Sequence, residues 1–172
     1  IGTIGIRGTD THDTLAPRAK IPQLPPPDSI SLHATVAAIA KQGVTHLALE
    51  ASSHGLQQYR LDGLNIHVAG FTNLSRDHLD HHCNMDDYFA AKARLFDEVL
   101  SEGGSAVINI DDAYGKKLVS RIKHRPVVVK TFGTSKDADF HIKQINTTDV
   151  GLDLQLVYQT KTWHIPLALA GT

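Results

Sequence analysis

Val68-Ala69-Gly70-Phe71-Thr72-Asn73 is a short apolar run that breaks off in polar residues, and Ser105–Asp111 repeats the design with Ala106, Val107, Ile108 and Ile110. Apolar runs of this length, lacking strict alternation, read as strands buried on both faces of a parallel sheet. Upstream, His46-Leu47-Ala48-Leu49-Glu50-Ala51 has the same character, and downstream Val127-Val128-Val129 opens a fourth strand. Helical spacing fills the intervals. Met85–Leu100 carries an apolar stripe at Met85, Tyr88/Phe89, Leu95/Phe96 and Val99, behind Asn84 as N-cap. A second helix is predicted over Asp112–Ile122. A third starts at the cap Asp28, with Ile30, Leu32/His33, Val36/Ala37 and Ile39/Ala40 on one face and Gly43 as its stop. The β-loop-α order predicts an α/β fold: an open, mostly parallel sheet with helices on both faces. Ligands of such sheets bind beyond the carboxyl ends of the strands, where Glu50 and Asn73–His78 fall.

The two ends of the chain read differently. Ile1–Ile6 is expected to be a short strand, and Thr9–Pro27, ending in Pro25-Pro26-Pro27, a stiff surface loop. After Gly133, the stretches Phe140–Thr147, Leu152–Gln159 and Thr162–Leu169 largely alternate apolar and polar residues around turns such as Asp149-Val150-Gly151. They predict a small antiparallel sheet at one edge, so the α/β part is expected over 1–133 and the antiparallel part over 134–172.

Composition narrows the function classes. With 172 residues, 41% hydrophobic, the chain can bury a core. A net charge of -1, from 17 Lys+Arg against 18 Asp+Glu, argues against a basic nucleic-acid surface. The single cysteine, Cys83, excludes an internal disulfide framework and fits a reducing compartment. No apolar run approaches the roughly 18 residues of a membrane span, and Ile1–Arg7 does not read as a signal peptide. The expected localisation is cytoplasmic.

Three anomalies point to chemistry. Lys92 fills the step of the apolar stripe between Tyr88 and Leu95. There it is either a snorkelling surface lysine or a desolvated amine of lowered pKa, nucleophilic or open to modification. Asp77-His78-Leu79-Asp80-His81-His82-Cys83 resembles a metal-binding cluster, yet its spacing matches no zinc signature and a solvated polar loop reads as well. His78 lies closest to the strand end; His81, His82 and Cys83 read as bystanders. Glu50, ending an otherwise buried strand, is costly unless paired or bound to a cation. Its neighbours Ser52 and Ser53 read equally well as helix caps.

Glu50-Ala-Ser-Ser-His-Gly-Leu, Phe71-Thr-Asn-Leu-Ser-Arg-Asp-His-Leu-Asp, Tyr88-Phe-Ala-Ala-Lys-Ala-Arg-Leu-Phe and Ile108-Asn-Ile-Asp-Asp stand in this order across residues 28–112. Together they resemble the Mur ligase family, in its P-loop-like central domain. The resemblance implies an ATP-dependent amide ligase of peptidoglycan synthesis. Such an enzyme phosphorylates the terminal carboxylate of UDP-MurNAc-L-Ala-D-Glu, and the amine of a diamino acid, meso-diaminopimelate or L-lysine, then attacks the acyl phosphate. By motif, Glu50, His78 and Lys92, the last as a carbamate, would be the catalytic residues holding Mg²⁺, with Asp77 flanking them. Ser52, Gln58 and Arg60 would bind the UDP-muramoyl dipeptide. Hard Mg²⁺ suits carboxylate and carbamate oxygens, whereas the imidazole of His78 is an unusual ligand for it.

The chain also departs from the family. The Gly-Lys-Thr phosphate loop is absent, and Pro25-Pro26 stand where the family has substrate-contacting threonines. The expectation is a single, truncated central domain, without the P-loop and the C-terminal domain. Such a fragment would be inactive alone and open to self-association through exposed sheet edges. A folylpolyglutamate synthetase-like or other Mur ligase, a metal-dependent hydrolase using His78, His81 and His82, and a non-catalytic binding module are the competing readings.

Overall fold

The computed structural model describes residues 28–75 and 82–168. The expected strand Ile1–Ile6, the proline-rich loop, and Asp77 and His78 lie outside the described residues. The chain divides between Leu64 and Asn65 into two compact units.

In the first unit, α1 (Ser29–Lys41) begins where Asp28 accepts a hydrogen bond from Ser31 N at 2.7 Å. That bond holds the Asp28 carboxyl below the usual carboxylate range. α1 ends as expected, with Gly43 in the left-handed conformation at φ +83°. Leu32 and Ile39 are buried, but Ile30 is turned outward and 83% exposed, so the predicted stripe is one residue too long. α2 (Ser53–Gln57) is a short helix pinned by Leu56 and followed by buried Leu61.

Between these helices the structure corrects one expectation. His46–Ala51 forms no strand: none of the described strands pairs with it, and Leu47 is 38% exposed. An apolar run becomes a strand only where neighbours satisfy its backbone groups, and periodicity does not reveal the neighbour.

The second unit is built on one six-stranded sheet in the order β1-β2-β3-β4-β5-β6. β1 (Ile66–Phe71), β2 (Leu100–Asn109) and β3 (Val128–Gly133) run parallel, linked through α3 (Met85–Arg94) and α4 (Ala113–Ile122). The expected fold class therefore stands: a mixed sheet with helices. Ala69, Phe71, Ala106 and Ile108 form one face of the sheet and pack against Tyr88, Phe89, Ala93, Phe96, Leu118 and Ile122. Phe89, Phe96, Leu118 and Ile122 are each fully buried, worth about 1.5–3 kcal/mol apiece in transfer free energy.

The predicted helix Met85–Leu100 is real but changes gauge. Its last turn, Leu95–Val99, is π-helical, and Leu100 already starts β2. Arg125 covers the exposed carbonyls there, donating to Phe96 O at 2.8 Å and Leu100 O at 3.1 Å.

The antiparallel stretches β4 (Phe140–Thr148), β5 (Gly151–Tyr158) and β6 (Lys161–Leu167) fall where alternation placed them. They extend the same sheet, because β4 pairs parallel with the end of β3 through Phe132↔Phe140 and Gly133↔His141. The six-residue link 134–139 turns, with Ala138 N donating to Ser135 O at 3.2 Å, and two carboxylates hold it. Asp139 Oδ2 accepts from Thr131 N and Oγ1 at 2.8 and 2.9 Å. Asp111, at the carboxyl end of β2, accepts from Thr134 N at 2.7 Å and Ser135 N at 3.1 Å.

The hydrogen bond from Thr134 N is the main reason that the Asp111 carboxyl sits below its ordinary pKa. A depressed folded-state pKa contributes stability above the unfolded value, near 4, and loses it as pH falls through the folded value. The stability difference between the parent and Asp111→Asn should thus be constant above about pH 5 and shrink below about pH 4. Denaturation across this range checks it; a pH-independent difference would contradict the assignment.

Candidate functional site

Three of the residues singled out by motif meet around the short helix α2. Ser52 is its N-cap, accepting from Gly55 N at 3.1 Å, so the capping reading of this serine holds. The chain leaves α2 through Gln58 and a left-handed Tyr59 at φ 56°, and Arg60 N returns to Gly55 O at 2.9 Å. This reversal folds Arg60 back over the helix, where its Nη2 donates to Gln58 Oε1. A Cβ on Gly55 would stand 3.0 Å from Ser52 Oγ and 3.7 Å from Arg60 Cδ, so both side chains lie against this glycine. Gln58 also lies 2.8 Å from His54, Nε2 to Nε2. Buried Ser53, Leu56 and Leu61 hold the turn, while Ser52, His54 and Gln58 remain exposed. The result is a rigid backbone turn presenting hydroxyl, amide and guanidinium groups, suited to an anionic, polyhydroxylated ligand.

Glu50 precedes this turn and is exposed. The cost expected for a carboxylate ending a buried strand therefore does not arise. Lys92 belongs to the other unit, on α3, and is half-buried between the buried Ala91 and Ala93. That burial matches its place in the stripe. Among the described residues no three His, Cys, Asp or Glu side chains gather into a metal-holding group, and His78 lies outside them. Glu50 offers the hard oxygen that Mg²⁺ prefers, whereas Lys92 suits a cation only once its ammonium has been converted to an anionic carbamate.

His82, which the sequence reads as a bystander, packs beside α3. Its ring is buried and stacked on Tyr88 with centroids 4.9 Å apart, as a core aromatic.

Two residues of structural weight were not singled out from sequence. Asp112 caps α4 by accepting from Tyr114 N at 2.7 Å, and its other oxygen accepts from Leu74 N at 3.0 Å. It thereby ties the segment leaving β1, which leads toward Asp77 and His78, to the first turn of α4. Gly115 lets that turn settle on the end of β2, since a Cβ there would lie 1.8 Å from Asn109 O. The Asn109-Ile-Asp-Asp run carries the signal for the first; a single helical glycine carries almost none for the second.

A parallel sheet lengthened by antiparallel strands, with helices between its parallel strands, defines a mixed α/β domain. The chain belongs to the Mur ligase middle domain family, which it matches over residues 1–172. It is 42% identical over 177 residues to a UDP-N-acetylmuramoyl-L-alanyl-D-glutamate--2,6-diaminopimelate ligase of Bradyrhizobium diazoefficiens, covering 99% of this chain and 34% of that protein. A ligase of the same name from Agrobacterium fabrum is 46% identical over 133 residues, covering 77% of this chain and 26% of its own length. A solved structure of a ligase of that name superposes with TM-score 0.75 at 37% identity, over 83% of this chain and 29% of the other. MurF from Acinetobacter baumannii shares the fold at TM-score 0.56 and 21% identity, over 66% of this chain and 24% of the other. The chain spans about a third of the length of its full-coverage curated relatives.

Proposed function

We propose that this chain is the middle domain of a ligase that joins 2,6-diaminopimelate to UDP-N-acetylmuramoyl-L-alanyl-D-glutamate, and that it works in the cytoplasm. The observation that carries the reading is the convergence of Ser52, Gln58 and Arg60 on one turn, presenting polar groups to the UDP-muramoyl dipeptide. The relatives' shared name supports diaminopimelate over L-lysine as the amine. No helix among the described residues is long and apolar enough to cross a membrane.

In this reading ATP transfers its γ-phosphoryl group to the D-glutamyl carboxylate, releasing ADP. The amine then attacks the acyl phosphate, forming the amide and releasing phosphate. Arg60 binds negative charge on the substrate, Gln58 orients that guanidinium, and Ser52 fixes the turn that carries both. Glu50, His78 and carbamylated Lys92 would hold Mg²⁺, which when bound neutralises charge on the transferring phosphoryl oxygens. Asp112 holds the segment leading to His78.

The full-length protein, given UDP-MurNAc-L-Ala-D-Glu, ATP and Mg²⁺, is expected to form amide with meso-diaminopimelate and not appreciably with L-lysine. One ADP and one phosphate should be released per bond. Absence of product, or preference for L-lysine, would overturn the proposal.

A further inference from the structure

Hydrogen-bond bookkeeping around α2 identifies one more participant. A guanidinium has donors only, so the group that Gln58 turns toward Arg60 must be its amide oxygen, as found. The amide NH₂ is then committed to the other side, where it meets His54 Nε2 at 2.8 Å. An amide nitrogen cannot accept. His54 Nε2 must therefore be the acceptor, which makes the ring neutral with its proton on Nδ1. The three side chains form a directed relay: Arg60 donates to Gln58, and Gln58 donates to His54.

The local sequence enforces the relay. His54 and Gln58 stand four residues apart, one turn of α2 and its cap, so their side chains share a face. The left-handed Tyr59 turns the chain back so that Arg60 reaches the same amide. Gly55 leaves room for the Arg60 methylenes beside Ser52. The His54 side chain is exposed, while the buried Leu56 and Leu61 hold the fold of the turn.

We propose that His54 is a positioning residue for substrate recognition: its Nε2 lone pair fixes the Gln58 amide, and that amide fixes the guanidinium of Arg60 toward the anionic UDP-muramoyl dipeptide. This rests on reading Gln58 and Arg60 as substrate contacts. Without the acceptor, the amide is free to rotate and present NH₂ to Arg60, where donor faces donor and the guanidinium is released.

Steady-state kinetics of the full-length enzyme test this. His54→Ala should raise KM for UDP-MurNAc-L-Ala-D-Glu about tenfold, the worth of one hydrogen bond to a charged group, with kcat and KM for ATP changed less than about twofold. His54→Gln, whose side-chain oxygen accepts, should restore KM. His54→Lys, which only donates, should behave like the alanine variant. Nitrogen-15 NMR of histidine-labelled parent protein should show the His54 Nδ1–H tautomer. An unchanged KM in His54→Ala, equal KM values for the glutamine and lysine variants, or an Nε2–H ring would each overturn the inference. A parent enzyme that forms no amide would instead overturn the functional reading, while the tautomer measurement still tests the relay by itself.

Discussion

Lys92→Ala in the full-length protein is expected to lower amide formation by about 10³-fold, the rate equivalent of several kcal/mol of lost charge stabilisation during phosphoryl transfer. The position separates function from folding. Lys92 stands within α3 between the buried Ala91 and Ala93, and alanine is the best helix former, so the variant should keep its helix. KM for the UDP-muramoyl dipeptide should move little, because that substrate is assigned to the turn at Ser52–Arg60. Carbon-13 NMR with labelled bicarbonate should give a carbamate signal in the parent that is missing in Lys92→Ala. Turnover within about threefold of the parent, or no carbamate signal from the full-length enzyme, would refute the role.

Gly115→Ala should produce the largest loss of stability. The added Cβ would meet Asn109 O at 1.8 Å and Asn109 C at 3.0 Å, both backbone atoms of β2 and its end. No rotamer change relieves a clash with backbone, so α4 must lift from the sheet. Overpacking of this kind costs at least the upper end of the usual range, about 3 kcal/mol. Leu118 and Ile122, fully buried from the same helix, would lose their contacts together. Amide exchange in α4 should accelerate about 10²-fold when followed by mass spectrometry of the full-length protein. Gly70→Ala is the control, because a Cβ at Gly70 meets nothing within 4 Å. Equal exchange in parent and Gly115→Ala would show that the first turn of α4 is not seated as described.

What could be read in advance follows from how locally each feature is encoded. Asp28 and Asn84 each stand before a helix, and the structure uses the side chain of each as a cap. Capping is decided within three residues, so it is legible. β4, β5 and β6 were legible because their hairpin partners lie nearby in sequence, although burial does not alternate along them and β5 is half-buried throughout. His46–Ala51 failed for the opposite reason: whether an apolar run joins a sheet depends on a distant neighbour. The π-helical turn at Leu95–Val99 was equally invisible, since its side chains keep an acceptable helical stripe while the backbone pairing changes. Within the candidate site, Ser52, Gln58 and Arg60 came from motif resemblance, and their convergence depends on the left-handed Tyr59, which no composition rule marks. His54 was passed over although its four-residue spacing from Gln58 was in plain view.

The strand order of the sheet bears on how the protein is made. Every strand from β2 to β6 pairs with the strand just before it in the chain. Among the described residues, each strand can therefore be added as it emerges from the ribosome, with none of these strands left waiting for a late partner. Parallel sheets are slow to form when their pairings are distant in sequence. The order of the described strands follows the order of translation from β1 outward, and the hairpins of β4, β5 and β6 are also its most local pairings.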